Sequence, residues 1–128
     1  MTPPAPAPHR VFAYGTLLPG QSRWHHLQPL VEDEGADDAA VGVLYDTGVG
    51  YPAAVFGIGS AVIVGRVFAL RADQIDRAVA LLDEVEGAVA GDYRRIPIVT
   101  LAGISAWAYE YGGGLSLQAI PGGSWLLR

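Results

Sequence analysis

The 128-residue sequence contains no cysteine and no lysine, and only 16% of its residues are charged. Without cysteine there can be no disulfide, no thiolate nucleophile and no Cys-ligated metal. Without lysine the strong cations reduce to eight arginines, scattered along the chain rather than clustered. The net charge of -5 and pI near 4.9 also argue against a phosphate-binding surface, so no nucleic acid partner is expected. Histidine is sparse as well. His9 lies in a proline-rich tail, and adjacent His25 and His26 should point to different faces of a regular element, so no metal site is expected. No apolar run approaches the ~18 residues of a membrane span, and no membrane partner is expected.

What is present is a hydrophobic half, 51% of residues, in a chain the size of one ordinary domain. Residues 1–10 alternate proline with alanine. They lack the apolar segment of a signal peptide and read as a disordered, polyproline-like leader. Residues 11–128 then form a single domain, and the expected location is the cytoplasm.

Six short strands are expected, at Val11–Tyr14, Ala40–Tyr45, Ala53–Phe56, Ala61–Leu70, Tyr93–Leu101 and Ile104–Tyr111. Gly65 interrupts the longest and suggests a bulge or a tight bend. Ala102-Gly103 joins the last two as a hairpin, and Pro97 belongs at an edge. Gln21 to Leu30 reads as irregular or as a short helix around Trp24 to Leu27, and Glu32 to Asp38 as a solvated acidic loop. Trp107 and Trp125 read as packing residues. The apolar Trp125-Leu126-Leu127 tail can complete the fold or dock on a second subunit, and the sequence carries no signal of oligomeric state. Short, bent strands close more easily into a small barrel than into an open sheet. The expected class is therefore α+β, a roughly six-stranded mixed barrel with flanking helices.

One helix is well marked, from near Ala72 to Glu86. Ile75, Ala78, Val79 and Leu82 make its apolar stripe, and at about 100° per residue Glu86 falls within roughly 20° of Ile75. Asp76, Arg77, Asp83 and Glu84 lie off the stripe, where water can reach them. A carboxylate turned toward a core is costly to ionise, so its pKa should rise toward neutrality. That would suit Glu86 to general acid/base chemistry. The competing reading is a frayed helix end before Gly87, with Glu86 in solvent.

Tyr14-Gly15-Thr16-Leu17 follows the first strand. A glycine there allows a sharp bend and close approach of a ligand, and successive backbone N–H groups can form an anion-binding nest. This loop, the Leu82-Asp83-Glu84-Val85-Glu86-Gly87 helix end, Tyr93-Arg94-Arg95, Gly50-Tyr51-Pro52-Ala53 and Trp107-Ala108-Tyr109-Glu110-Tyr111 occur in an order that resembles the γ-glutamylcyclotransferase-like family. The resemblance runs from about Val11 to Tyr111 and implies a small barrel with flanking helices. It further implies a cofactor-independent enzyme that releases 5-oxoproline and an amine from a small γ-glutamyl amide. Glu86 matches the catalytic glutamate, and Tyr14, Gly15, Thr16 and Leu17 match the loop whose N–H groups hold the substrate. Tyr93 and Tyr109 could line the pocket, and Arg94 or Arg95 could tie strand to loop. Two alternatives stand beside this reading. One is a barrel of the same fold that only binds a ligand or partner; the other is hydrolysis of the amide by water, giving free glutamate.

Overall fold

The structure is a computed structural model that describes residues 7–48, 50–87, 93–112 and 117–128. Among the described residues seven strands occur: β1 (Arg10–Ala13), β2 (Ala36–Asp46), β3 (Pro52–Phe56), β4 (Val62–Ala69), β5 (Tyr93–Val99), β6 (Ser105–Tyr111) and the short β7 (Gln118–Ala119). Two helices accompany them, α1 (Trp24–Leu27) and α2 (Ile75–Val85). The strand order is β3-β2-β4-β1-β6-β5, with β7 added to β2. Pairing is antiparallel except between β1 and β6, which are parallel. The mixed sheet curls until β3 approaches β6, where the Phe56 N–H donates to the Glu110 carboxylate at 2.9 Å. The result is a nearly closed barrel with two flanking helices, the α+β class expected from the sequence.

Strand alternation separates two cores. On β1, Phe12 faces the barrel interior with Leu44, Ile63, Val67, Ala106 and Ala108. Val11 and Ala13 face outward into a second cluster with Leu27, Phe68, Ala78 and Leu82. Thus β1 is covered on both faces and paired on both edges, which its apolar Val-Phe-Ala run requires.

Several local expectations change. Pairing with β4 draws the end of the acidic segment into β2, with Asp37 opposite Arg66 in a 2.7 Å salt bridge. A cross-strand partner decides that boundary, not local propensity. Gly65 is not a bulge, since it stays in register opposite Asp38. It is glycine because a Cβ would lie 2.4 Å from the Ala13 carbonyl oxygen and 2.6 Å from the Phe12 ring. The His25 and His26 rings do not diverge; their centroids lie 4.0 Å apart. Pro97 sits on β5, the last strand in the sheet order, as an edge proline should.

At the N-terminus, Pro8 is buried and the His9 carbonyl accepts from Leu70 N–H at 3.0 Å. The chain thus joins the fold within the segment read as leader; residues 1–6 of that segment lie outside the described residues. At the other end Trp125 is 3% exposed inside the barrel, while Leu126 and Leu127 are 53% and 86% exposed. The tail completes the barrel through its tryptophan.

Candidate active site

The helix carrying Glu86 buries Ala78 and Leu82 and packs Ile75, Val79 and Val85 against the outer core. Helical hydrogen bonding continues to the Glu86 N–H, which donates to Leu82 O at 2.9 Å. Gly87 then turns the chain at φ +76°, a left-handed conformation that favours glycine. The stop therefore falls one residue beyond the stripe. Glu86 keeps its place on the inward face instead of fraying into solvent.

Its side chain lines a small cavity with Tyr14, Gly15, Thr16, Leu17, Tyr93 and Tyr109, all seven residues singled out in the sequence. Arg23, Tyr51 and Pro52 complete most of the wall. The free space is about 20 Å³, room for about one water molecule. Burial lifts the Glu86 carboxyl from 4.5 to about 7, against the opposing pull of the Arg23 guanidinium. The carboxyl accepts no hydrogen bond among the described residues, and Glu86 is half-buried rather than sealed from solvent. An uncompensated, water-accessible carboxyl near neutrality can take a proton and give it back.

Across the cavity, the loop after β1 is fixed by its own turns. Leu18 N–H donates to Gly15 O at 3.0 Å, and Arg23 N–H donates to Thr16 O at 2.8 Å. The N–H groups of Gly15, Thr16 and Leu17 have no hydrogen-bond acceptor among the described residues. Three consecutive amides in one turn, without acceptors of their own, are available to an anionic group. Gly15 is required by close packing: a Cβ there would lie 2.5 Å from Pro52 Cγ.

The tyrosine hydroxyls serve the frame. Tyr14 donates to Tyr109 O at 2.5 Å and Tyr93 to Pro52 O at 2.9 Å. Tyr109 donates to Asp83 Oδ1 at 2.8 Å. Burial is the first cause that raises each phenol above 10, so all three remain protonated donors at neutral pH. Asp83, expected to be an easily solvated charge, is instead partly buried and also accepts from Arg95 Nε at 2.9 Å. Arg95 on β5 and Tyr109 on β6 reach it, and helix periodicity reveals neither partner. Arg95 ties strand to helix and Arg94 ties β5 to Glu110 on β6; neither ties strand to loop.

Arg23 was not singled out in the sequence. It lies in an irregular segment with no period to read. The clue available was its position eight residues past the strand-end glycine, in a chain with few cations.

The sequence pattern of the family described as gamma-glutamyl cyclotransferase, AIG2-like, matches residues 11–127. Among curated proteins, none matches the chain. Among solved structures, the protein YtfP from Escherichia coli is 31% identical, over 91% of this chain and 96% of that one, with a TM-score of 0.61. PH0828 from Pyrococcus horikoshii is 24% identical over 91% and 88%, with a TM-score of 0.67. An AIG2-like protein from Mus musculus is 15% identical over 84% and 78%, with a TM-score of 0.61. The last two likenesses concern the fold. The sequence match over residues 11–127, with which the nearly closed mixed barrel agrees, shows that this chain belongs to the gamma-glutamyl cyclotransferase, AIG2-like family.

Proposed function

We propose that the protein is a γ-glutamyl cyclotransferase acting on a small γ-glutamyl amide, with Glu86 as its general base and acid. The observation that carries this reading is Glu86 lining one cavity with the Gly15-Thr16-Leu17 loop, its carboxyl pushed toward neutrality by burial. The nucleophile is the substrate's own α-amine, so the protein supplies positioning and proton transfer.

Ionised Glu86 takes one proton from the α-ammonium, and the freed amine attacks the γ-carbonyl to close a five-membered ring. Glu86 returns that proton to the amide nitrogen as the C–N bond breaks. The second proton lost by the attacking nitrogen follows to the same leaving group, which departs as an ammonium. The products are 5-oxoproline and the amine, and Glu86 ends as it began. Gly15, Thr16 and Leu17 N–H groups hold the α-carboxylate, which keeps amine and carbonyl within reach. Tyr14, Tyr93 and Tyr109 wall the pocket while their hydroxyls hold its backbone in place. A carboxyl near neutrality suits both halves of this exchange, since neither taking nor giving the proton is strongly uphill.

The test is mass-spectrometric detection of 5-oxoproline from a panel of γ-glutamyl amides and dipeptides, with Glu86→Gln alongside. Turnover in the parent and loss of at least a hundredfold in the variant is the expected result. Free glutamate as the product would mean hydrolysis. Wild-type-like turnover by Glu86→Gln would remove the residue from the chemistry.

A further inference from the structure

Among the described residues that line the Glu86 cavity, Arg23 is the one cation. Its backbone is fixed by the 2.8 Å bond from its N–H to Thr16 O. From there the side chain bridges two walls. Nη1 donates to the Val85 carbonyl at 3.3 Å, and Cζ stands 5.7 Å from the Tyr51 ring centroid. Arg66, Arg94 and Arg95 each pair with a carboxylate, whereas Arg23, like Arg10, Arg71, Arg77 and Arg128, has none within ion-pair reach among the described residues; of these five it alone lines the cavity.

A guanidinium presents five N–H donors, and here one of them meets a neutral carbonyl at long range. A carboxylate would offer two parallel, charge-assisted bonds in exchange for that single weak one. Glu86 is near enough to feel the positive charge but does not pair with it. The position is that of a cation held for an anion that arrives from outside.

We infer that Arg23 is a carboxylate-binding residue of this cleft, turning from the Val85 carbonyl onto a carboxylate of the incoming γ-glutamyl compound. The inference rests on the reading of the cleft given under the proposed function. A γ-glutamyl amino acid carries two such groups, the α-carboxylate of the glutamyl part and the carboxylate of the departing amino acid. Either would draw the guanidinium off the helix end and loosen a cavity that now holds about one water. Either would also neutralise the field that opposes proton uptake by Glu86, strengthening the base as substrate binds.

γ-Glutamylalanine and γ-glutamylethylamide differ only in the carboxylate of the leaving amine, so the pair separates the two sources. Calorimetric titration of both into Glu86→Gln measures binding without turnover, and the same titration into Glu86→Gln/Arg23→Gln measures the arginine's share. A loss of tenfold or more for γ-glutamylalanine alone supports the inference and assigns the leaving-group carboxylate. An equal loss of that size for both probes supports it and assigns the α-carboxylate. Arg23→Lys, which keeps the charge without the fork, should bind with intermediate affinity and also stands in if Arg23→Gln does not fold. Unchanged affinity for both probes in both arginine variants overturns the inference. If the parent forms 5-oxoproline while those affinities are unchanged, the inference falls alone. If binding depends on Arg23 but the parent forms no 5-oxoproline, the carboxylate site stands and the cyclotransferase reading falls.

Discussion

Asp83 and Tyr109 are joined by a 2.8 Å hydrogen bond from phenol to carboxylate. The bond ties α2 to β6 one helical turn before Glu86. Through the Tyr109 carbonyl, which accepts from Tyr14, the same tie continues to the residue that opens the candidate binding loop. The acid/base candidate and the loop amides are thus held in register by one short chain of contacts.

Removing that tie should loosen Glu86 without deleting it. Asp83→Asn and Tyr109→Phe should each cost about 1–2 kcal/mol in denaturant titrations. Each should also lower 5-oxoproline formation by about tenfold or more, because small misplacements of a catalytic group are costly. A double-mutant cycle should give a coupling energy of at least about 0.5 kcal/mol. Strict additivity would show that the bond does not transmit position.

The elevated carboxyl makes a stability prediction with a definite sign. Folded Glu86 binds its proton more tightly than the unfolded chain, about 7 against 4.5. Its contribution to stability is therefore full below about pH 4.5 and is lost as pH rises through about 7. That gap is worth roughly 3 kcal/mol. Glu86→Gln, which cannot ionise, should be more stable than the parent at pH 8 by about 2–3 kcal/mol and match it near pH 4.5. Catalysis runs the other way: kcat/KM should climb with pH through about 7, as the base form of Glu86 fills. Coincident stability curves for the two proteins would show the carboxyl to be fully solvated.

At the barrel seam, Glu110 accepts from Phe56 N–H and from Arg94 while being buried itself. Glu110→Ala leaves that backbone donor with no partner in a dry place, and should cost about 2–3 kcal/mol by denaturation midpoint. Glu110→Gln keeps an acceptor for Phe56 and should cost clearly less.

Gly15 offers a test of the cleft wall. In Gly15→Ala the new methyl would lie 2.5 Å from Pro52 Cγ, so the Tyr51-Pro52 wall must move. Overpacking of this kind costs about 1–3 kcal/mol. Activity should fall by more than stability implies, measured as kcat/KM at a temperature where the variant is fully folded.

How much of this was legible in the sequence depended on whether a period or a glycine marked it. Glu86 was readable because Ile75, Ala78, Val79 and Leu82 set a helical clock and Gly87 stopped it. The loop was readable because Gly15 ends an apolar strand. Arg23 lacked both kinds of mark. Asp83 lies off the stripe and is still held, because Arg95 on β5 and Tyr109 on β6 reach it, and the period of α2 carries no sign of either. The start of β2 at Ala36 depends on β4, some thirty residues later in the chain, so no local rule could place it. The pair Gln118–Ala119 is too short to signal a strand at all; it exists because Tyr45 and Asp46 offer an edge.

The position of β1 carries a consequence for biogenesis. The apolar Val11-Phe12-Ala13 stretch takes β4 on one edge and, with Val11 opposite Trp107, the sequence-distant β6 on the other. During synthesis this apolar stretch lacks one neighbour until β4 has emerged and the other until β6 has emerged. Pairing over such sequence separations is slow to form, so this edge should be among the last parts of the barrel to lock, and a target for holdase chaperones until it does.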